Sequence, residues 1–269
     1  MQNSYWKEKV VLVTGGSSGL GRELAEEFAR AGAKIVLAGL EPELVKAAVT
    51  EMKEHFPETL GLAVDVTRDE DVSRLSEEIK TRFGRLDVLV NAAGRTDRGK
   101  IADCTAEHFE KVMALNFIAL TRVTHAFLPL LMGSRGHIIN IGSLASKAAS
   151  RWTGAYPAAK HAVAAYSQQL RLELKDAGLK VLLVCPGPIL RETERLYPLP
   201  GLEDIPERAR RPGAGVKVKG IPPEKLVAAI LSHAEKGLPE LIMPWKARIL
   251  FTISQMWPRL GDWLILRNT

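Results

Sequence analysis

The pattern that most constrains the fold is an alternation of short apolar runs with longer amphipathic segments between residue 9 and about residue 185. The short runs are rich in Val, Ile and Leu and cover residues 10–13, 34–38, 61–64, 87–90, 137–141 and 180–184. The segments with helical spacing cover residues 21–31, 42–56, 69–83, 106–131 and 155–177. Such short apolar runs are typical of strands buried on both faces of a parallel sheet. The alternation therefore predicts βαβ units and a doubly wound parallel sheet of the Rossmann type, an α/β fold.

The composition changes after Cys185. Residues 186–223 are rich in proline, with glycine and arginine interspersed, and an irregular segment of this length in a compact domain is usually a lid or a substrate loop. A helix over 224–236 and a short strand over 240–242 are predicted next, followed by an apolar C-terminal extension over 244–269. Since no linker separates these parts, we predict a single domain over 1–269 that includes a lid at about 186–223.

Composition excludes several classes of function. The net charge of +6 is spread over 269 residues without a nucleic-acid-binding motif, so no nucleic-acid partner is expected. The two cysteines lack metal-type spacing and the six histidines include no H-x-x-x-H pair, so we expect no metal site and a reducing, cytoplasmic location. We also expect no signal peptide, and no apolar run of the roughly 20 residues that a membrane span needs.

A glycine-rich turn over residues 11–21 is the strongest local signal. A predicted buried strand ends in Thr14, and Gly15, Gly19 and Gly21 lead into a predicted helix. Glycines allow the sharp turn and a close backbone approach, and a helix N-terminus offers free N–H groups to a phosphate. The turn therefore predicts a dinucleotide pyrophosphate site.

A second signal is Tyr156 followed four residues later by Lys160. One helical turn separates them, so both side chains share a face, and an ammonium group lowers the pKa of a nearby tyrosine from its usual value of about 10. Such a pair can exchange a proton near neutral pH. The spacing alone is weak, since Tyr5 and Lys9 repeat it ahead of the first strand.

The residues around Tyr156 and Lys160 strengthen the prediction that this pair is functional. Ser143 follows the strand predicted at 137–141, at the edge of the sheet where open α/β folds bind ligands. Pro157 occupies a first-turn position that tolerates proline. Asn116 interrupts an apolar stretch of a long predicted helix and needs a hydrogen-bond partner.

Together these motifs resemble the short-chain dehydrogenase/reductase family in its single-domain branch. The family pattern T-G-x-x-x-G-x-G matches residues 14–21, and its N-N/A-A-G element matches Asn91 to Gly94. Its catalytic positions match Asn116, Ser143, Tyr156 and Lys160, and its P-G dipeptide matches Pro186 and Gly187. The match runs in order over about residues 9–190.

The resemblance implies a role for each catalytic position. Tyr156 exchanges the proton with the substrate oxygen while a hydride moves to or from a nicotinamide. Lys160 lowers the pKa of Tyr156 and binds the nicotinamide ribose, Ser143 holds the substrate oxygen, and Asn116 organises a helix kink and a proton relay. It also implies that Asp65 contacts adenine, while Asn91 is expected to tie neighbouring strands together rather than touch substrate.

The resemblance further implies a set of cofactor-binding residues. They are Thr14, Gly15, Ser17, Ser18, Gly19, Leu20, Gly21, Gly39, Asp65, Val66, Asn91, Ala92, Ala93, Gly94, Tyr156, Lys160, Pro186, Gly187 and Ile189.

Two departures from the family pattern bear on the cofactor. Relatives that use NAD have an acid at the end of the second strand, where this chain has Gly39, so NADP(H) is favoured and NAD(H) stays an alternative. The basic residue common in NADP users is replaced by Leu40, and Arg22 is one candidate to bind a 2′-phosphate. The family's threonine five residues after the P-G proline is replaced by Arg191, with Thr193 two residues later.

The extension over 244–269 carries apolar residues at three- and four-residue steps, which predicts one helical stripe with a break or kink at Pro258. With its tryptophans and flanking cations it can lie at a membrane surface, on the domain's own lid or on another subunit, and composition does not separate these. We expect it to border the pocket, and we expect an apolar, lipid-like or steroid-like small-molecule substrate. A homo-oligomer, dimer or tetramer, is expected. The alternative to an enzyme is a non-catalytic dinucleotide-binding or membrane-surface protein.

Overall fold

One seven-stranded parallel sheet organises the chain in a computed structural model that describes residues 5–190 and 205–268. Its strands are β1 Val10–Thr14, β2 Lys34–Gly39, β3 Leu60–Ala63, β4 Val88–Asn91, β5 His137–Ile141, β6 Lys180–Pro186 and β7 Glu240–Met243. They lie in the order β3-β2-β1-β4-β5-β6-β7, with every neighbouring pair parallel. This is the predicted doubly wound sheet, and its winding reverses between β1 and β4, where such folds bind ligands.

Helices flank both faces of the sheet. They are α1 Gly19–Arg30, α2 Pro42–Lys53, α3 Asp69–Phe83, α4 Ala106–Met113, α5 Ala119–Ser134, α6 Tyr156–Glu173, α7 Pro223–Glu235, α8 Ala247–Met256 and α9 Pro258–Asn268. Alternate residues of β1 enter opposite cores: Val11 and Val13 pack with α1 and α7, whereas Leu12 packs with α3 and α5. Burial on both faces explains why the strands read as continuous apolar runs.

The segment Ala106–Ser134 is helical throughout, but it is not one regular α-helix. A π-helical turn over Ala114–Ile118 separates α4 from α5. By length and composition alone this segment is apolar enough to span a membrane, so the expectation that no such segment exists was wrong. Its side chains Val123, Phe127 and Leu131 are buried in the core beside the sheet, and that burial explains its apolar character.

The C-terminal extension is broken at Pro258, as predicted. Helix α8 ends before Trp257, whose backbone is non-helical, and α9 begins at Pro258, which has no N–H to continue the ladder. The two helices pack against each other, and a Cβ added at Gly261 would lie 2.5 Å from Ser254 Cα. The described part of the segment predicted as a lid contains a short 3₁₀ turn at Glu207–Arg210 and an irregular turn at Pro212–Gly215. Arg191 and Thr193 lie outside the described residues.

Candidate active site

The glycine turn after β1 is packed so closely that side chains do not fit. Gly15 and Gly19 have positive φ angles of 65° and 53°, which favour glycine. A Cβ at Gly21 would lie 2.3 Å from the carbonyl oxygen of Gly15, so α1 approaches β1 as the predicted pyrophosphate turn requires. Thr14 Oγ1 accepts hydrogen bonds from the N–H groups of Ala92 (3.1 Å) and Ala93 (3.3 Å) and thereby ties this turn to the end of β4.

A buried polar network holds the central strands together behind the site. Asn91 Nδ2 donates to Asn140 Oδ1 (2.9 Å) and to Thr124 Oγ1 (3.1 Å), and Asn140 Nδ2 donates to Ser167 Oγ (2.9 Å). The network links β4, β5, α5 and α6. Asn91 therefore ties strands together as expected, and its side chain does not line the cavity described below. The sequence analysis did not single out Asn140, a lone polar residue in an apolar run, or Ser167, which is followed by two further polar residues.

The four expected catalytic residues line one cavity of about 770 Å³ at the carboxyl edge of the sheet. Asn116 lies in the π turn, where Nδ2 donates to Val112 O (3.0 Å) and Oδ1 accepts from the N–H of Arg95 (3.1 Å). A Cβ at Gly94 would lie 2.9 Å from Asn116 Oδ1, so this glycine lets the loop after β4 approach the turn. The π turn is the predicted kink, and it directs Asn116 inward.

Ser143 begins the turn that follows β5. Its Oγ accepts from the N–H of Ala145 (3.1 Å), and its own N–H donates to Ser146 Oγ (3.1 Å). The two serines thus fix each other's backbone as a capping box around a 3₁₀ turn. The Ser143 hydroxyl accepts a bond here and keeps its proton to donate to a ligand in the cavity.

Tyr156 and Lys160 lie in the first turn of α6 and meet as the spacing predicted. Lys160 Nζ lies 5.6 Å from the centroid of the Tyr156 ring and donates to the carbonyl oxygen of Ile141 (2.8 Å). Lys160 is only 5% exposed, and burial lowers its pKa from 10.5 to about 8. The pair at Tyr5 and Lys9 is structural by contrast, since the Tyr5 hydroxyl bonds His137 Nε2 at 2.8 Å and Lys9 stacks on the ring.

Asp97, which the sequence reasoning missed, holds the start of α6. Its Oδ2 accepts from the N–H of Ala155 (2.8 Å), directly before Tyr156, and lies 2.7 Å from His108 Nε2. Its neighbour Arg98 donates to the lid carbonyls of Ala209 (2.9 Å) and Arg211 (3.2 Å). The loop after β4 therefore connects the catalytic helix to the lid. The sequence of this loop is irregular, so no periodic pattern in it predicts the contacts of Asp97 and Arg98.

The same loop contains a group with metal-binding side chains. Asp97, Cys104 and His108 place their donor atoms within 4.8 Å of one another. The Asp97 carboxylate is occupied by Ala155, His108 and the N–H of Arg98, and burial together with nearby Asp97 and Asp103 raises the pKa of Cys104. These contacts describe a structural cluster, and the expected absence of a metal stays a prediction.

The predicted cofactor residues divide into two sets. The first lines the cavity described above: Leu20, Ala92, Gly94, Tyr156, Lys160, Pro186, Gly187 and Ile189. The second lies outside its lining, at or beside the ends of β1 to β4: Thr14, Gly15, Ser17, Ser18, Gly19, Gly21, Gly39, Asp65, Val66, Asn91 and Ala93.

Contacts of the second set hold the carboxyl ends of β1, β2 and β3 next to one another. A Cβ at Gly39 would lie 2.7 Å from Ser17 Oγ, and the N–H of Val64 donates to Gly39 O (2.7 Å). Asp65 accepts bonds from the N–H and hydroxyl of Thr67, which lower its pKa. Lys160 and Asp65, which would hold the two ends of an extended dinucleotide if the family resemblance applies, both lie beside the carboxyl ends of strands.

The surroundings of Arg22 bear on the cofactor. The Arg22 guanidinium is paired with Glu26 (2.6 Å) and Glu51 (3.3 Å), and its side chain is 15% exposed. A contact of Arg22 with a 2′-phosphate stays a prediction, as does the preference for NADP(H) that rests on the absent acid at Gly39.

The wall of the cavity is largely apolar. Leu144 contributes to it, whereas Trp152 is not part of the lining and contacts the guanidinium groups of Arg151 (4.4 Å) and Arg208 (5.5 Å). The helices α8 and α9 add Leu250, Phe251 and Ile265, so the C-terminal extension borders the pocket as predicted.

Among the residues that the structure describes, the charged side chains that line the cavity are all cationic. They are Arg95, Arg98, Lys160, Lys217, Lys219 and Lys246.

Comparison with known proteins agrees with this geometry. The sequence model of the short chain dehydrogenase family matches residues 9–197. "Probable oxidoreductase EphD" of Mycobacterium tuberculosis is 32% identical over 261 residues, which cover 95% of this chain and 44% of that protein. "Dehydrogenase/reductase SDR family member 7B" of Mus musculus is 37% identical over 195 residues, which cover 69% of this chain and 59% of that protein. The chain thus spans about half the length of these curated relatives.

A solved structure supports the same assignment. A short-chain dehydrogenase from Streptomyces avermitilis superposes with a TM-score of 0.77 at 27% identity, covering 97% of this chain and 98% of that one. The fold is that of a Rossmann-type α/β domain. The chain belongs to the short-chain dehydrogenase/reductase family.

Proposed function

We propose that this protein interconverts a ketone and a secondary alcohol with NADP(H), and that its substrate is apolar and lipid-like. The observation that carries the proposal is the convergence of Asn116, Ser143, Tyr156 and Lys160 on one cavity. A hydroxyl donor, a phenol and a buried ammonium are the groups that carbonyl reduction needs on the side of the oxygen. A bound nicotinamide supplies the hydride.

The protein's own residues then handle the oxygen and its proton. Ser143 donates a hydrogen bond to the carbonyl oxygen, because its Oγ already accepts from Ala145 N–H. Tyr156 gives its phenolic proton to that oxygen in reduction and takes it back in oxidation. The Lys160 ammonium, fixed by Ile141 O, stabilises the phenolate that remains. Asn116 holds the loop after β4 in place beside this pair.

The preference for NADP(H) rests on Gly39. A carboxylate at the end of β2 repels a 2′-phosphate, and this chain has no side chain there. NAD(H) is the alternative cofactor.

The apolar substrate rests on the wall of the cavity. Leu144, Val216, Leu250, Phe251 and Ile265 offer carbon surface beside the catalytic groups. An apolar chain or ring system buries more of this surface than a small ketone does, at roughly 25 cal/mol per Å².

Steady-state kinetics tests these statements together. We expect NADPH oxidation with a series of 2-alkanones, a kcat/KM at least about tenfold higher with NADPH than with NADH, and a KM that falls with chain length. Absence of turnover with every ketone, despite measurable NADPH binding, would support a non-catalytic dinucleotide-binding protein. The homo-oligomer and the cytoplasmic location stay predictions.

A further inference from the structure

The surface near the C-terminus concentrates exposed apolar side chains. We use "C-terminal helix pair" for residues 245–268, which comprise the two residues before α8, α8, the connecting Trp257 and α9. Seven large apolar side chains in this short segment are at least 45% exposed: Trp245, Ile249, Met256, Trp257, Leu260, Trp263 and Leu266. Exposed apolar residues scattered singly are normal, but a concentration of this kind marks a binding surface.

The same helices bury a second set of apolar residues on the domain side. Phe251 is 6% exposed and belongs to the core cluster that includes Val163 and Ile242. Leu250 and Ile265 line the cavity. The C-terminal helix pair is therefore apolar on both sides: one anchors it to the domain and closes the cavity, and the other faces outward without a covering element in the described residues.

The charged side chains of the C-terminal helix pair are mostly positive. The segment carries four cations, Lys246, Arg248, Arg259 and Arg267, against the single anion Asp262. The Arg267 guanidinium stacks at 5.3 Å on Trp263. Exposed tryptophans with arginine and lysine beside them are the residues that favour the headgroup region of a bilayer, where an amphipathic ring is partly wet.

The cavity mouth extends this cationic border. Lys217 and Lys219 from the lid are exposed and line the same cavity as Lys246. The cavity thus opens beside the C-terminal helix pair, and lysines border the opening. Anionic lipid headgroups complement such a rim.

We propose that the C-terminal helix pair docks on the surface of an anionic lipid bilayer. It lies in the headgroup region and does not span the bilayer, because α8 and α9 have 10 and 11 residues and a span needs about 20. A second copy of this chain fits less well, since a two-fold contact through the same patch brings four cations of one copy towards four of the other. Delivery of apolar substrates from the bilayer to the cavity rests on the proposed function, but docking does not.

Vesicle flotation of the full chain tests the docking. We expect the protein to float with phosphatidylcholine vesicles that contain phosphatidylglycerol, to float poorly with phosphatidylcholine alone, and to be released by salt. The double variant Trp245→Ser/Trp263→Ser removes two exposed rings, and Lys246→Glu/Arg259→Glu reverses two charges. Each should lower the partition coefficient by about tenfold or more.

Matched controls separate docking from general surface changes. Leu172 is 66% exposed on α6, close to the 67% of Trp245, so Leu172→Ser should leave flotation unchanged. NADPH binding and the thermal midpoint verify that each variant is folded. Turnover of a small soluble ketone is measured separately, so loss of activity without loss of flotation contradicts the proposed function and not the docking.

Two results would overturn the proposal. One is wild-type protein that fails to float with anionic vesicles, or that floats equally well when either pair is substituted. The other is a wild-type oligomer by gel filtration with light scattering that the Trp245→Ser/Trp263→Ser variant converts to smaller species, because the patch is then covered by a second copy.

Discussion

Replacing Lys160 by methionine should stabilise the fold while it removes activity. Burial lowers the pKa of Lys160 from 10.5 to about 8. One pKa unit corresponds to about 1.4 kcal/mol, so keeping this ammonium charged in the folded state at pH 7 costs about 3 kcal/mol. Methionine fills a similar volume without charge, but it leaves the carbonyl of Ile141 without this donor, at a cost of about 1 kcal/mol. We expect a net gain of about 2 kcal/mol in the free energy of unfolding.

The pH dependence of this gain identifies its cause. The folded state releases the Lys160 proton near pH 8, whereas the unfolded chain keeps it until about pH 10.5. Between these values the unfolded state binds more protons, so the stability of the parent protein rises with pH through the contribution of Lys160. Lys160→Met lacks this contribution. Its advantage over the parent should therefore shrink as the pH approaches about 10.

Urea unfolding followed by tryptophan fluorescence, at about pH 7 and about pH 10, measures both quantities. Lys46 is exposed on α2, and Lys46→Met serves as the control, with an expected change within about 0.5 kcal/mol. A Lys160→Met protein that is less stable than the parent at pH 7 would refute the reasoning. So would a gain that is the same at both pH values.

Three further predictions concern the cofactor, the core and the pocket. Gly39→Asp should shift kcat/KM towards NADH, because the new carboxylate repels the 2′-phosphate. Gly39→Ala places a Cβ equally close to Ser17 without adding a charge, so it should leave the cofactor preference unchanged. Burial lowers the pKa of His137 from 6.5 to about 4, so the unfolded chain binds its proton first and about 3 kcal/mol of stability is lost as the pH falls from 6.5 to 4. His137→Asn should lack that part of the loss in urea unfolding across this range, and an unchanged pH slope would contradict it. Leu250→Ser should raise KM for long-chain ketones more than for short ones. Equal changes in KM would show that Leu250 does not determine the preference for chain length.

Much of the sheet and the grouping of the four candidate catalytic residues was predictable from sequence. Strands buried on two faces read as apolar runs, and β5 lies where the run at 137–141 predicted it. Tyr156 and Lys160 share a helical turn, so their proximity follows from spacing alone. The polar residue Asn116 in an apolar stretch predicted a hydrogen-bond partner, the family resemblance implied a kink, and both are present.

Other features depend on contacts between distant segments. Asp97 meets the start of α6 across 58 positions, and nothing in the residues around it reveals this. The break at Pro258 was predicted, but the packing of the two C-terminal helices depends on the close approach of Gly261 to Ser254. The pairing of Arg22 with Glu51 joins α1 to α2 across 29 positions, and the sequence did not predict it.

The central claim is that Tyr156 transfers the proton, and Tyr156→Phe tests it most directly. This variant removes the hydroxyl and keeps the ring beside Lys160, so NADPH binding and the unfolding midpoint should stay close to those of the parent. Turnover of a reducible ketone at saturating NADPH should fall by about 10²–10⁴-fold, the usual contribution of a positioned acid. A Tyr156→Phe protein that binds NADPH normally and keeps most of its turnover would contradict the account.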